Sequence, residues 1–342
     1  MKMTSFRDEP ILPFLTSFML FLLKASYGYK IKVMLENQFE PMHEQLIQQI
    51  RNGDTKALAR AISFIENEHK GYEDIMLAVA TSNSTSVIGV TGPPGAGKST
   101  LVDALVGELL KENKRVAVLC VDPSSPFNLG ALLGDRIRMS EWYTHPNVFI
   151  RSLATRGSLG GLSPKIIEIT DVLKSVGFDQ IIIETVGVGQ SEIEIAGVAD
   201  TTAVVMIPES GDEIQTMKAG IMEIADIFVI NKSDRPGADL FEKNLRLMIA
   251  PAFHKTSHEI PVIKTVSTEK KGIRELTRVL NDCSKEDRNE QRRLSLLTDK
   301  AWHLLVQKKM KGVNKTALRQ MVQVESKKGK FNLYAFVQNF DQ

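Results

Sequence analysis

The eight residues Gly92-Pro-Pro-Gly-Ala-Gly-Lys98-Ser99 follow an apolar run and open a helix-forming segment, and they constrain this chain more than any other feature. They match G-x-x-x-x-G-K-[ST], a loop whose glycines let the backbone curl until several N–H groups converge on phosphate oxygens. In such a cradle Gly92, Gly95, Ala96, Gly97 and Thr100 line the phosphates at a helix start. Lys98 reaches the outer phosphates, and the Ser99 hydroxyl takes a Mg²⁺ ion. A coincidental Gly-rich turn would not need to sit between a strand and a helix. Phosphate binding is therefore the reading.

The surrounding sequence supplies the fold such a loop requires. From Ser86 to about Cys283, the runs Val87–Val90, Val116–Val121, Val148–Ile150, Gln180–Ile183, Ala203–Ile207, Ile227–Ile230 and Val262–Lys264 alternate with helical segments. Most are continuous Val/Ile runs rather than alternating ones, as expected of an α/β fold whose mostly parallel sheet is covered by helices on both faces. Ligands of such sheets sit at the carboxyl ends of strands, so the residues just after each run carry the chemistry.

Three flanking zones complete the chain. Between Met42 and Thr81, Leu46, Ile47 and Ile50 and then Leu58, Ala61, Ile62 and Ile65 recur at helical spacing, with Gly53-Asp54 as break and cap. From Lys285 onward the chain is helix-prone, with Arg288, Arg292 and Arg293 followed by Leu294, Leu297, Trp302, Leu304, Leu305 and Val306. This is an arm for packing on the core or on a second subunit. At the other end, Ile11–Leu23 is apolar but shorter than the roughly 20 residues of a membrane span. Acidic Asp8 and Glu9 with a single Arg7 before it do not resemble a mitochondrial transit peptide, so a mitochondrial matrix address is not expected. We read Met34 as the natural start and residues 1–33 as an extension, with a segment lying on a membrane surface as the second reading. The domains expected are 1–33 (extension), 34–83 (N-terminal helices), 84–284 (the phosphate-loop domain) and 285–342 (C-terminal helical arm).

Charge and cysteine usage exclude other classes. With 43 basic and 41 acidic residues the net charge is +2, which gives no global drive toward nucleic acid, and the basic residues of the arm are interleaved with apolar ones. Neither nucleic-acid binding nor stable membrane insertion is expected. Two cysteines, Cys120 and Cys283, make neither a disulfide framework nor a four-ligand zinc site and fit a reducing, cytoplasmic compartment.

Carboxylates end two of the strands. Asp122 closes Val118-Leu-Cys-Val-Asp122, and Asp135 lies beyond a Gly-containing loop; either can hold Mg²⁺ or its waters beside a triphosphate. Ile181-Ile-Ile-Glu184-Thr-Val-Gly187 places Glu184 for the metal shell or the attacking water and the Gly187 N–H for the γ-phosphate, with Gln190 in reach to orient water. After Ile227–Ile230 comes Asn231-Lys-Ser-Asp234. Guanine presents an N1–H and an exocyclic amine that one carboxylate accepts together, whereas adenine lacks both at that edge. Losing two charge-assisted bonds costs roughly 3–6 kcal/mol, enough for about 10⁴-fold discrimination. Asp234 is thus the expected specificity residue, with the Lys232 stem along the base and Asn231 tying the turn to the phosphate side. Ser267 and Thr268 follow the last strand, where a backbone N–H could meet the guanine carbonyl. GTP is favoured over ATP.

The phosphate loop, Val121-Asp-Pro-Ser-Ser125, Arg151-Ser-Leu-Ala-Thr-Arg-Gly157, Glu184-Thr-Val-Gly-Val-Gly-Gln-Ser-Glu192, Ser210-Gly-Asp-Glu213 and Asn231-Lys-Ser-Asp234 together closely resemble the MeaB/ArgK family. These are G proteins of the SIMIBI class that chaperone adenosylcobalamin-dependent acyl-CoA mutases, chiefly methylmalonyl-CoA mutase. The resemblance implies a P-loop GTPase core flanked by N-terminal helices and a C-terminal dimerisation arm. It also implies a homodimer, GTP or GDP as ligand and Mg²⁺ as cofactor. By the family pattern Asp122, Asp135 and Glu184 belong to the Mg²⁺ and switch machinery, and Ser210–Lys218 looks like the additional switch loop with Lys218 as its functional lysine. Glu209-Ser210 stands where Gly-Ala is usual, and Ser158 where His is common. The alternatives are a metal-delivery GTPase for a nickel enzyme, which would want a Cys/His ligand set, and a nucleotide-dependent kinase.

Overall fold

The Val/Ile runs become the strands of a parallel sheet. A computed structural model describes residues 44–79, 85–122, 139–155, 162–185, 191–209, 224–253, 260–283, 290–310, 313–327, 329 and 331–340. Its elements begin with α1 (Thr55–Glu66), α2 (Tyr72–Ala78), β1 (Ser86–Thr91), α3 (Lys98–Lys111), β2 (Val116–Asp122), β3 (Val148–Ala154), α4 (Ile166–Ser175) and β4 (Gln180–Glu184). They continue with α5 (Ser191–Val198), β5 (Thr201–Met206), β6 (Ile227–Ile230), α6 (Ala238–Phe253), β7 (Val262–Lys264), α7 (Ile273–Cys283), α8 (Glu290–Lys309), α9 (Lys315–Ser326) and α10 (Leu333–Gln338). Seven strands among the described residues form one sheet in the order β3-β2-β4-β1-β5-β6-β7. The pairings of β2 with β3 and β4, of β5 with β1 and β6, and of β6 with β7 are all parallel.

The chain divides into two units, Met1–Ser86 with Leu105–Ser158 and Leu162–Glu184, and Val87–Ala104 with Leu159–Gly161 and Thr185–Gln342. In the first, β2 lies between β3 and β4 with Cys120 opposite both Ser152 and Glu184. Helix α1 starts where Asp54 accepts the N–H groups of Lys56 and Ala57 at 2.8 and 3.1 Å. Those two backbone bonds hold the Asp54 carboxyl below its usual range, as a helix N-cap does. The helix buries Ala57, Leu58, Ala61, Ile62 and Ile65, one apolar stripe at helical spacing. Near the start of α4, buried Lys165 donates to Glu68 at 2.8 Å and to the Tyr72 hydroxyl at 3.2 Å. Its ammonium also lies 4.6 Å from the Tyr72 ring centroid and 3.6 Å from Glu168.

In the second unit α6 covers β5, β6 and β7. Phe241, Leu245 and Ile249, four residues apart, pack with Val204, Phe228, Ile230 and Val262. Two carboxylates cap strand starts, Asp200 accepting the Val87 N–H and Asp226 the Thr202 N–H, each at 2.8 Å. Helix α8 packs on α5. The arm beyond leaves large apolar side chains in the open, among them Trp302 at 70% exposure and Tyr334 at 86%.

Strands β1, β2 and β4 each run one residue past the sequence reading, and two strands differ from it by more. Strand β3 continues past Ile150 to Ala154. Polar Arg151 and Ser152 interrupt the apolar run, yet Leu153 and Ala154 are buried and stay in register with β2 as far as Asp122. Strand β5 runs Thr201–Met206 rather than Ala203–Ile207, because buried Thr201 and Thr202 read as loop residues in sequence. Cys120 and Cys283 are free, buried thiols. No helix among the described residues is long and apolar enough to cross a membrane. The apolar run 11–23 and the rest of the 1–33 extension lie outside the described residues.

Candidate functional site

The loop between β1 and α3 owes its shape to glycine. Gly92 has φ +137°, and a Cβ there would run into the Val205 carbonyl of β5. Gly97 has φ +85°, and its Cβ would fall 2.5 Å from Asn231 Nδ2. Neither position accepts a side chain without moving backbone or the asparagine. The loop closes with the Ala96 N–H on the Pro93 carbonyl at 3.3 Å, and the helix begins with the Leu101 N–H on Gly97 at 2.9 Å. Lys98, 6% exposed, lays its ammonium along the loop, donating to the carbonyls of Gly92 at 2.8 Å and Pro93 at 3.0 Å. Ser99 is buried beside it on the first turn of α3, and Thr100 follows on the same turn.

The turn after β6 is built against that loop. Asn231, 2% exposed, donates from Nδ2 to the Ala96 carbonyl at 2.9 Å. Its Oδ1 accepts the Ser267 hydroxyl at 2.7 Å, the Ser267 N–H at 3.3 Å and the Thr265 hydroxyl at 3.2 Å. Both ends of one carboxamide are engaged, tying together the phosphate loop, the end of β6 and the segment after β7. Lys232 sits in the left-handed region at φ +54° and donates from Nζ to the Gly95 carbonyl at 2.8 Å. The turn is pinned to its neighbours by the Asn231 N–H on Met206 at 2.8 Å and the Ser233 N–H on Thr265 at 3.1 Å. Asp234 is exposed at its tip. The Lys271 ammonium is held above its ordinary pKa chiefly by its hydrogen bond to Glu269, with Asp234 adding a smaller attraction. Thr268 is exposed in the short turn Ser267–Glu269.

Glu184 ends β4 and is buried, while Asp122 ends β2. Thr185, the next residue, gives its N–H to Val90 at 3.0 Å, and its hydroxyl is 2.9 Å from that of Thr91. Asp135, Gly187, Gln190 and Lys218 lie outside the described residues. Among the described residues no group of three or more His, Cys, Asp or Glu is arranged to hold a metal ion.

Asn231 bridges the phosphate loop and the segment after β7. The structure also brings in Thr265, which sequence reading missed, and it turns the Ser267 N–H toward Asn231 Oδ1. Neither residue carries a periodic signal, and the partners are more than thirty positions apart in the chain.

Several known proteins are related to this chain. The family model described as Methylmalonyl Co-A mutase-associated GTPase MeaB matches residues 58–319. A protein of Pyrococcus abyssi named as a GTPase is 45% identical over 294 residues, 85% of this chain and 89% of that one. A protein of Caenorhabditis briggsae named methylmalonic aciduria type A homolog, mitochondrial, is 36% identical over 211 residues, 57% of this chain and 51% of that one. A crystal structure described as LAO/AO transport system kinase aligns with a TM-score of 0.60 at 26% identity, over 87% of this chain and 96% of that one. By a match that runs from the first helix into the C-terminal arm, the chain belongs to the MeaB family of P-loop GTPases.

Proposed function

We propose that this GTPase is a chaperone that assists cofactor loading and protection of an adenosylcobalamin-dependent acyl-CoA mutase, methylmalonyl-CoA mutase foremost. The observation that carries the nucleotide part is the Asn231–Ala96 bond, which fixes the distance between a purine turn and a phosphate cradle. The mutase part is supported by the family's description and by the name of the Caenorhabditis briggsae relative.

In this reading Asp234 accepts the paired donors of guanine, the Lys232 stem lies along the base, and the Ser267–Thr268 segment borders it. The N–H groups of residues 92–100 and the Lys98 ammonium receive the phosphates. Water attacks the γ-phosphorus in line, the bond to the β–γ bridging oxygen breaks, and GDP and phosphate leave. Lys98 and the loop amides stabilise the negative charge that spreads over the transferred group. Ser99, Asp122, Asp135 and Glu184 supply hard oxygen donors of the kind Mg²⁺ prefers, and the ion when bound would neutralise phosphate charge. Gln190 orients the water, the Gly187 N–H senses the γ-phosphate, and Lys218 acts in the segment 210–218. Few strong catalytic groups stand in cis, so basal turnover is slow and rises when the mutase binds. The buried free thiols fit a reducing cytoplasm, and the exposed apolar side chains of α8 to α10 fit a homodimer joined through that arm.

The test is GTP hydrolysis with and without a purified adenosylcobalamin-dependent mutase, alongside co-elution of the two proteins. Acceleration and co-elution are expected, with Lys98→Ala inactive in both settings. An unchanged rate and separate elution would reject the mutase. A kinase is suggested by the description of the structural relative. It would leave the ³²P of [γ-³²P]GTP on an acceptor rather than on free phosphate.

A further inference from the structure

The purine turn has one more hold, and it comes from a side chain outside every motif. Arg235 Nη1 donates to Glu209 Oε1 at 2.6 Å. Arg235 belongs to the turn itself, since its N–H closes on the Lys232 carbonyl at 3.0 Å. Glu209 stands three residues past the end of β5, whose last residue, Met206, accepts the Asn231 N–H at 2.8 Å. A ring results: Met206 to Asn231 through the backbone, along the turn to Arg235, across the ion pair to Glu209, and back along the chain to Met206. Lys232 and Asp234 lie inside it.

Lys232 needs such a frame. Its left-handed backbone, at φ +54°, is costly for a residue with a side chain and persists only where the surroundings over-determine it. Hydrogen bonding from Arg235 foremost, and more weakly the charge of Lys232, hold the Glu209 carboxyl below the usual carboxylate range. The Glu209 carboxylate thus pairs with Arg235, on the far side of Asp234, and is within electrostatic reach of Lys232. An isolated pair as exposed as this one contributes little to folding. Here, however, it closes a strained turn that reaches the phosphate loop through Lys232 and Gly95.

We propose that Glu209 and Arg235 are positioning residues for the purine turn, an ion pair that keeps Lys232 and Asp234 in the geometry that retains a guanine nucleotide. The proposal rests on the reading of Asn231–Asp234 as the base site. Its effect is on nucleotide release, not on the chemical step.

The experiment is stopped-flow release of mant-GDP from the full chain and from Glu209→Gln, Arg235→Gln, the double variant and the reversed pair Glu209→Arg/Arg235→Glu. Both residues are on the surface, so none of these changes empties the core. Each single variant should release nucleotide about two- to five-fold faster, and the double variant no faster than the singles. The reversed pair should return most of the way to the parent. About 1 M salt should bring the parent rate up to that of the variants. At steady state KM for GTP should rise in step with release while kcat holds. Parent-like release from both single variants, a reversed pair no slower than the singles, or a fall in kcat would each overturn the proposal. Should the parent bind no mant-GDP, the base-site reading falls and takes this proposal with it. Tight parental binding with unaffected variants removes the ion-pair role and leaves the base site standing.

Discussion

The carboxamide of Asn231 donates at one end to the phosphate loop and accepts at the other from Ser267 and Thr265, all in a buried setting. Chemistry at this position is therefore directional. Asn231→Asp keeps the acceptor for Ser267 and Thr265 but aims an acceptor at the Ala96 carbonyl. Nucleotide affinity should fall at least about tenfold, read by mant-GDP titration, and unaltered affinity would show that the tie is dispensable. Asp234→Asn exchanges two acceptors for an acceptor and a donor, so the preferred base becomes xanthine, whose 2-oxo group accepts. Competition between XDP and GDP reads this directly, and retained guanine preference would remove Asp234 from its role. Much of this scale was legible in sequence because loop chemistry is written in fixed spacings. Thr265, Glu209 and Arg235 were not legible. Their partners come together only when β5, β6 and β7 align, and nothing in a linear sequence marks a threonine or a surface arginine as such a partner.

Among the elements, α2 is short and buries little beyond Ile75, so its attachment leans on polar contacts. Lys165 holds the first residue of α2 through the Tyr72 hydroxyl and the turn before it through Glu68, with Glu168 of α4 beside the same ammonium. Burial alone would lower the Lys165 pKa, but the hydrogen bonds to Glu68 and Tyr72 and the charge of Glu168 raise it above 10.5. A raised lysine stabilises the fold fully below its unfolded value, and that contribution disappears as pH climbs through the folded value. Lys165→Ala should thus cost about 1–3 kcal/mol in urea unfolding at neutral pH. The gap between parent and variant should narrow only as pH rises beyond 10.5. A gap that instead closed toward acidic pH, while the carboxylates are still ionised, would contradict the assignment. The helical stripe of α1 and the Val/Ile strands were readable from periodicity. The extension of β3 through Arg151 and Ser152 was not, since burial of Leu153 and Ala154 depends on the neighbouring strand.

At the scale of the molecule, composition and the run of strands specified a parallel α/β fold but not the order β3-β2-β4-β1-β5-β6-β7. Parallel neighbours are joined by crossovers rather than hairpins, so chain order does not dictate sheet order. The C-terminal arm was likewise readable as helical, whereas its open apolar face shows only in three dimensions. Leu294, Trp302, Leu305, Val324 and Val337 are all exposed. If that face joins two copies, Trp302→Glu with Leu305→Glu should convert a dimer to a monomer in sedimentation velocity, with guanine nucleotide binding intact. A parent that sediments as a monomer at all concentrations would remove the arm's proposed role. Base selection by Asp234 beside a phosphate cradle underlies every role proposed for this chain. Its most direct test is a calorimetric titration of the full chain with GDP and, separately, ADP. One GDP should bind per chain, with ADP weaker by about 10⁴-fold; comparable affinity for the two, or a preference for ADP, would contradict it.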